Sequence, residues 1–271
     1  ILVSKYLILD NISLYSVSQT YTALGCLLLV IMVVMLFAHM PEGRDAASGG
    51  SLRSTLSRLA GNKRYLYGVV AQFFYVGAQV GVWSYTIRIV MQEMGVLEAE
   101  ASNVFLYSIV AFCLSRFFYT WLMKWVNPTK LLAIAGVLSM LSSVSVAFTA
   151  GKGMVMVVSL VLISLFMSLM FPTIYGIALG GLSQRDVKLG AAGLIMAILG
   201  GALITPWMAG IIGDADSCWL CLTAGMDNTW DTNLGTSHAA VRASFIVPAI
   251  CFAVVLVYSL IFRKPTTSSD K

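Results

Sequence analysis

The sequence predicts an all-α integral membrane protein of about seven transmembrane helices. Three observations predict it. Hydrophobic residues make up 59% of the 271 and charged residues 11%, against about 25% charged in a soluble domain. Seven runs are apolar enough and long enough to cross a bilayer, which takes roughly 20 residues of helix. The loops between those runs alternate in basic charge. A chain with so few charges could not cover its own surface in water, so its solvent is lipid.

The runs follow in order. Residues 1–18 read as an outer loop, and Gln19–Ala38 as a first span within a segment 19–39. Residues 40–64, rich in Gly, Ser and basic side chains, read as a flexible cytoplasmic linker. Six spans are then expected at Tyr65–Val90, Ser102–Met123, Leu131–Ala150, Met154–Gly180, Leu189–Gly213 and Ala243–Phe262. These form a bundle over residues 65–262, followed by a tail at 263–271. The polar stretch Asp214 to Val241 is the second long loop.

The charges orient this array. On one side, by counting helices, fall Arg44, Arg53, Arg58, Lys63 and Arg64, then Lys124 and Lys130. Arg185, Lys188, Arg263, Lys264 and Lys271 join them. The opposite side holds Lys5, Lys152 and Arg242. By the positive-inside rule the linker and the C-terminus are cytoplasmic. That distribution also disposes of nucleic acid as the reason for the net charge of +5. One helix, a basic linker and six more helices is the pattern of a major facilitator entered inside its first half, such transporters being two six-helix halves. The expected partners are lipid and a missing N-terminal six-helix half, of which the 19–39 span would be the last helix.

The segment AQFFYVGAQVGVWSYTIR carries the first chemistry. Gln72, Tyr75, Gln79 and Trp83 are spaced by three and four, so they share one helical face. Amides donate and accept to neighbouring sugar hydroxyls, and an indole face packs against the apolar side of a sugar ring. Glutamines facing lipid are unfavourable, so the face looks inward. Hydrogen bonding between helices would use the same residues. Asn103 is a further candidate contact. Gly77 and Gly81 lie four apart on a neighbouring face and predict close packing. Arg116 sits deep in a span, where an arginine usually faces a cavity or a partner, and is a candidate gate residue.

Two segments read as moving parts. Pro172 in LMFPTIYGIALGG removes a backbone hydrogen bond inside a helix. Gly200, Gly201 and Pro206 in LGAAGLIMAILGGALITP give a helix that can slide or bend, or simply pack tightly. All twelve acidic residues lie in loops or at helix ends, so no embedded carboxylate suited to proton coupling is visible. No phosphate loop, nucleophile–base pair or metal cluster occurs, so neither a cofactor, a metal nor an enzymatic role is expected. Beside Cys218 and Cys221 the chain has only two histidines, His39 and His238, to complete a zinc site. A loop disulfide between them requires an oxidising side. Asn11-Ile12-Ser13 is a glycosylation sequon on the outer side.

These blocks resemble the fucose permease family of major facilitators, the fucose–galactose–glucose proton symporters. AQFFYVGAQVGVWSYTIR, Arg116-Phe117 with Thr120-Trp121-Leu122, FPTIYGIAL and GLIMAILGGALITP stand in the family's order and spacing, over nearly the whole chain. The resemblance implies proton-coupled symport of L-fucose or a related hexose in the cell membrane, by rocking of two halves about a midplane site. It implies that Gln72, Gln79, Trp83 and Phe171 line that site, and that the proton-carrying carboxylates lie in the other half. Phe171 stands where bacterial fucose permease has a tyrosine, and relatives that carry glucose and galactose share Met170-Phe171-Pro172. A sugar sensor that keeps the fold without transport, or a non-functional fragment, are the rival readings.

Overall fold

The computed structural model describes residues 14–37, 52–149, 153–213, 230–231 and 236–262. Cys218, Cys221, Asp214 and the Asn11 sequon lie outside them. Helix α1 (Leu14–Phe37) belongs to a unit of its own, residues 1–49, and exposes an unbroken apolar surface from Leu27 to Phe37. The second unit, residues 50–271, holds six spans long and apolar enough to cross a membrane.

Within the stretch expected to be flexible linker, residues 52–61 form helix α2 (Leu52–Gly61). Leu59 is buried against Tyr65, Ala178 and Leu194. Arg58 donates to both oxygens of Asp186, at 2.8 and 3.3 Å, and the Ser183 hydroxyl adds a third bond to that carboxylate. That hydrogen bond, backed by the carboxylate's charge, raises the Arg58 pKa further above its usual value. A short amphipathic segment with one buried leucine and one paired arginine is thus stapled to the bundle.

Helix α3 (Lys63–Met94) runs 32 residues, about 48 Å at 1.5 Å per residue and longer than a hydrocarbon core of about 30 Å. Asn62 caps its start by accepting from the Tyr65 amide, and Gly95 ends it in the left-handed region at φ 62°, where a Cβ is disfavoured. Helix α4 (Glu98–Leu122) follows, then α5 (Pro128–Phe148), begun by a proline whose missing N–H lies among the donors that a helix start leaves unpaired anyway.

The last three spans are broken helices. Gly153–Leu179 divides into α6 (Gly153–Met167) and α7 (Met170–Leu179). Asp186–Gly213 covers most of α8 (Gln184–Met196) and all of α9 (Leu199–Gly213). His238–Ile261 divides into α10 (His238–Ser244) and α11 (Ile246–Ile261). A proline clashes with the carbonyl four residues back and cannot donate to it. Pro172 stands four residues after Ser168 and Pro248 four after Ser244, so each break falls where its proline dictates. Pro172 therefore marks the first turn of α7 rather than kinking a continuous helix. Pro206 does lie inside α9, and its span breaks earlier, at Ala197-Ile198, just before Gly200 and Gly201. A two-residue antiparallel ladder, β1 (Trp230–Asp231) on β2 (Thr236–Ser237), precedes α10.

Glycine sets the closest crossing. A Cβ on Gly77 would come within 2.3 Å of Ile204, and one on Gly81 within 2.5 Å of Met208. One on Gly200 would lie 1.9 Å from the Phe73 carbonyl oxygen, and one on Gly201 2.8 Å from Val80. Small residues on both helices thus let α3 and α9 touch along their backbones, as the Gly77 and Gly81 spacing predicts. The main apolar cluster of the core holds Tyr75, Phe245 and Phe252 fully buried, and a smaller one gathers Leu59, Tyr65, Ala178 and Leu194.

Candidate sugar-binding face

The α3 face divides in two. Gln72 and Tyr75 are fully buried, while Gln79 and Trp83 one and two turns further on are half-buried. Neither amide atom of Gln72 has a hydrogen-bond partner among the described residues. An orphan buried amide costs about 1–3 kcal/mol per group, so an unmet demand for polar partners sits inside the bundle. The Tyr75 hydroxyl is committed, donating to the Met167 carbonyl at 3.1 Å.

Trp83 anchors the other half. Its indole N–H, the ring's one donor, goes to the Ser164 hydroxyl of α6 at 3.3 Å. The ring makes edge contacts with Phe112 at 5.2 Å and Phe105 at 6.4 Å, both on α4. With its donor engaged, what Trp83 can offer a ligand is its flat face. Gln79 has a half-buried amide beside it on the same face, able to donate two hydrogen bonds and accept others. Asn103 is half-buried near the start of α4.

Phe171 opens α7 with its ring half-buried, edge-on to Tyr75 at 6.3 Å and stacked on Tyr175 at 6.4 Å with 11° between planes. So α3, α4 and α7 bring Tyr75, Trp83, Phe105, Phe112, Phe171 and Tyr175 into two aromatic groups flanking the glutamine face. Phe105, Phe112 and Tyr175 were not singled out from the sequence. The signal available was helical spacing, seven residues between Phe105 and Phe112 and four between Phe171 and Tyr175. Arg116 is exposed on α4. Pro172 and Pro206 are exposed, whereas Gly200 and Gly201 are buried in the α3–α9 crossing.

The structure adds a charged pair that the sequence reading dispersed into loops. Glu93, in the last turn of α3, accepts from Arg242 of α10. Their side chains are 4% and 5% exposed. The His238 imidazole lies 3.7 Å from the same carboxylate. Arg242, expected in the outer loop, is instead helical and buried, because the last span begins at His238.

Comparison with known proteins places this arrangement. A scan of protein-family models finds no match. The L-fucose-proton symporter of Haemophilus influenzae is 36% identical over 246 residues, covering 90% of this chain and 52% of that protein. The corresponding Escherichia coli protein is 32% identical over 259 residues, covering 94% and 53%. The crystal structure of the Escherichia coli fucose:proton symporter superposes with a TM-score of 0.71 at 30% identity, over 93% of this chain and 56% of that one. The chain belongs with the fucose permease-like major facilitators and matches their C-terminal half. A glucose/galactose transporter of Brucella abortus is 29% identical over 74% of the chain. A structure of the major facilitator FucP in the outward conformation also superposes at 0.71, with 29% identity. The chain spans about half the length of the curated relatives it matches. The fold is accordingly an all-α membrane half of major facilitator type, and the relatives are transporters.

Proposed function

We propose that the chain forms one half of a proton-coupled sugar symporter that moves L-fucose or a related hexose by alternating access. The observation that carries this reading is the half-buried pairing of Gln79 with the Trp83 face, set on a helix shared with relatives that are L-fucose-proton symporters. A pyranose has one apolar C–H face and a rim of hydroxyls. The indole plane meets the first by dispersion and C–H contact, and the amide meets the second bidentately. Phe171, backed by Tyr175, closes a further side, with Asn103 as a weaker polar contact. Gln72 lies deeper and reaches a sugar only when α3 parts from its neighbours.

Alternating access asks these helices to move as bodies. The glycine-lined α3–α9 crossing and the broken spans supply smooth surfaces and joints for that. Arg116, exposed on α4, gates against the partner half, and the proton carrier resides in that half. The charge asymmetry of the loops supports a cytoplasmic linker and C-terminus in the cell membrane.

The test is counterflow in vesicles loaded with unlabelled L-fucose. Saturable uptake of labelled fucose, with an alkaline shift outside when unlabelled fucose is added to empty vesicles, is the expected result. Saturable binding without exchange would replace transport by a sensing role.

A further inference from the structure

The break between α6 and α7 is braced from two neighbouring helices, and the braces lead to the proposed sugar contact. Met167, Ser168 and Leu169, which form the break, are fully buried. The Met167 carbonyl, at the end of α6, accepts from the Tyr75 hydroxyl of α3 at 3.1 Å. From α4, the Ser115 hydroxyl meets the Ser168 hydroxyl at 2.8 Å and also bonds its own helix at the Phe112 carbonyl. Trp83 holds α6 one turn earlier, through Ser164. The two residues after the break are Met170, fully buried, and Phe171, whose ring lies against the same Tyr75 ring.

We infer that Tyr75 and Ser115 are positioning residues: they hold the α6–α7 break closed and so set the angle at which Phe171 meets the sugar. Tyr75 touches the break with its hydroxyl and Phe171 with its ring. A shift of the break therefore reaches the Phe171 side chain directly. This inference rests on the sugar-site reading above and adds to it a role that direct contact does not supply, since Tyr75 is fully buried with its hydroxyl engaged. It also gives α3 a route by which movement of its own face is felt at α7. Gln79 and Trp83 ride on the same rigid helix as the Tyr75 brace.

The experiment measures binding of L-fucose and D-galactose, by tryptophan fluorescence, to the intact transporter carrying Tyr75→Phe, Phe171→Ala and both. Tyr75→Phe keeps the ring and removes the hydroxyl. Losing one buried hydrogen bond predicts roughly a fivefold weaker affinity for the preferred sugar and a changed ratio between the two sugars. In the Phe171→Ala background the same change should have less than about a twofold further effect, because nothing is left to position. Equal factors in both backgrounds, or a Tyr75→Phe variant that melts lower while its sugar ratio stays fixed, would overturn the inference and leave Tyr75 a packing residue. If Phe171→Ala alone leaves both affinities unchanged, the sugar-site reading of Phe171 fails first and the inference falls with it. Ser115→Ala runs the same cycle from α4, and stands in should Tyr75→Phe fail to accumulate.

Discussion

Replacing Gly200 by alanine should damage this protein more than any other single methyl group added to its helices. The added Cβ would lie 1.9 Å from the Phe73 carbonyl oxygen and 2.7 Å from its carbon. Ordinary van der Waals contact begins near 3.4 Å, so α3 and α9 must part by about 1.5 Å, and the obstacle is backbone rather than a side chain that can turn away. Parting opens the contacts at Gly77–Ile204, Gly81–Met208 and Gly201–Val80 together. Overpacking of a close-packed interior costs about 1–3 kcal/mol, and the loss along the shared interface places Gly200→Ala at the upper end. Gly210 is the control on the same helix, with nothing within 4 Å of its added Cβ. Alanine there should be neutral or stabilising by about 0.5–1 kcal/mol, through backbone entropy alone. Thermal unfolding of the detergent-purified intact protein, followed by fluorescence-detected size exclusion, reads the difference. At about 2–4 °C per kcal/mol, Gly200→Ala should melt several degrees below Gly210→Ala. Equal melting of the two variants would show that the α3–α9 approach is looser than the crossing described here.

Three further outcomes are expected. Gln79→Ala should weaken sugar binding by about 1–2 kcal/mol, roughly five- to thirtyfold, with expression intact; unchanged affinity in equilibrium binding would remove it from the site. Phe171→Tyr should shift preference toward L-fucose over D-galactose in competition uptake, and an unaltered ratio would mean that this ring does not touch sugar. Arg242→Ala should destabilise the protein by about 3–5 kcal/mol, because it leaves the Glu93 carboxylate buried without its cation. Glu93→Gln combined with Arg242→Gln should recover much of that loss in the same melting assay, and a double variant no better than Arg242→Ala would deny the pairing.

The membrane class and the order of the spans are legible in the sequence because hydrocarbon imposes a crude demand, about 20 apolar residues per crossing, that composition alone reveals. Other features depend on partners far apart in the chain. Residues 52–61 look like linker because Gly, Ser and Arg dominate around them, and their helix is secured by Asp186, 128 residues beyond Arg58. Arg242 reads as a loop charge until Glu93, 149 residues away, is seen beside it. The prolines at 172 and 248 announce breaks, yet which side chains brace them emerges only in three dimensions, as with the Tyr75 hydroxyl on the Met167 carbonyl and the Ser143 hydroxyl on the Phe245 carbonyl. The α3 face shows the same limit. Its three-and-four spacing is plain in sequence, but spacing cannot tell that Gln72 and Tyr75 sink into the bundle while Gln79 and Trp83 stay accessible.

If Gln79 and the Trp83 face hold a sugar which the protein carries, counterflow depends on both. Vesicles containing the intact protein, preloaded with L-fucose, should accumulate labelled fucose transiently, and Trp83→Ala should abolish that accumulation while the protein still inserts and folds. Undiminished counterflow in Trp83→Ala, or none from the unaltered protein with fucose, galactose or glucose, would mean that this face does not carry sugar.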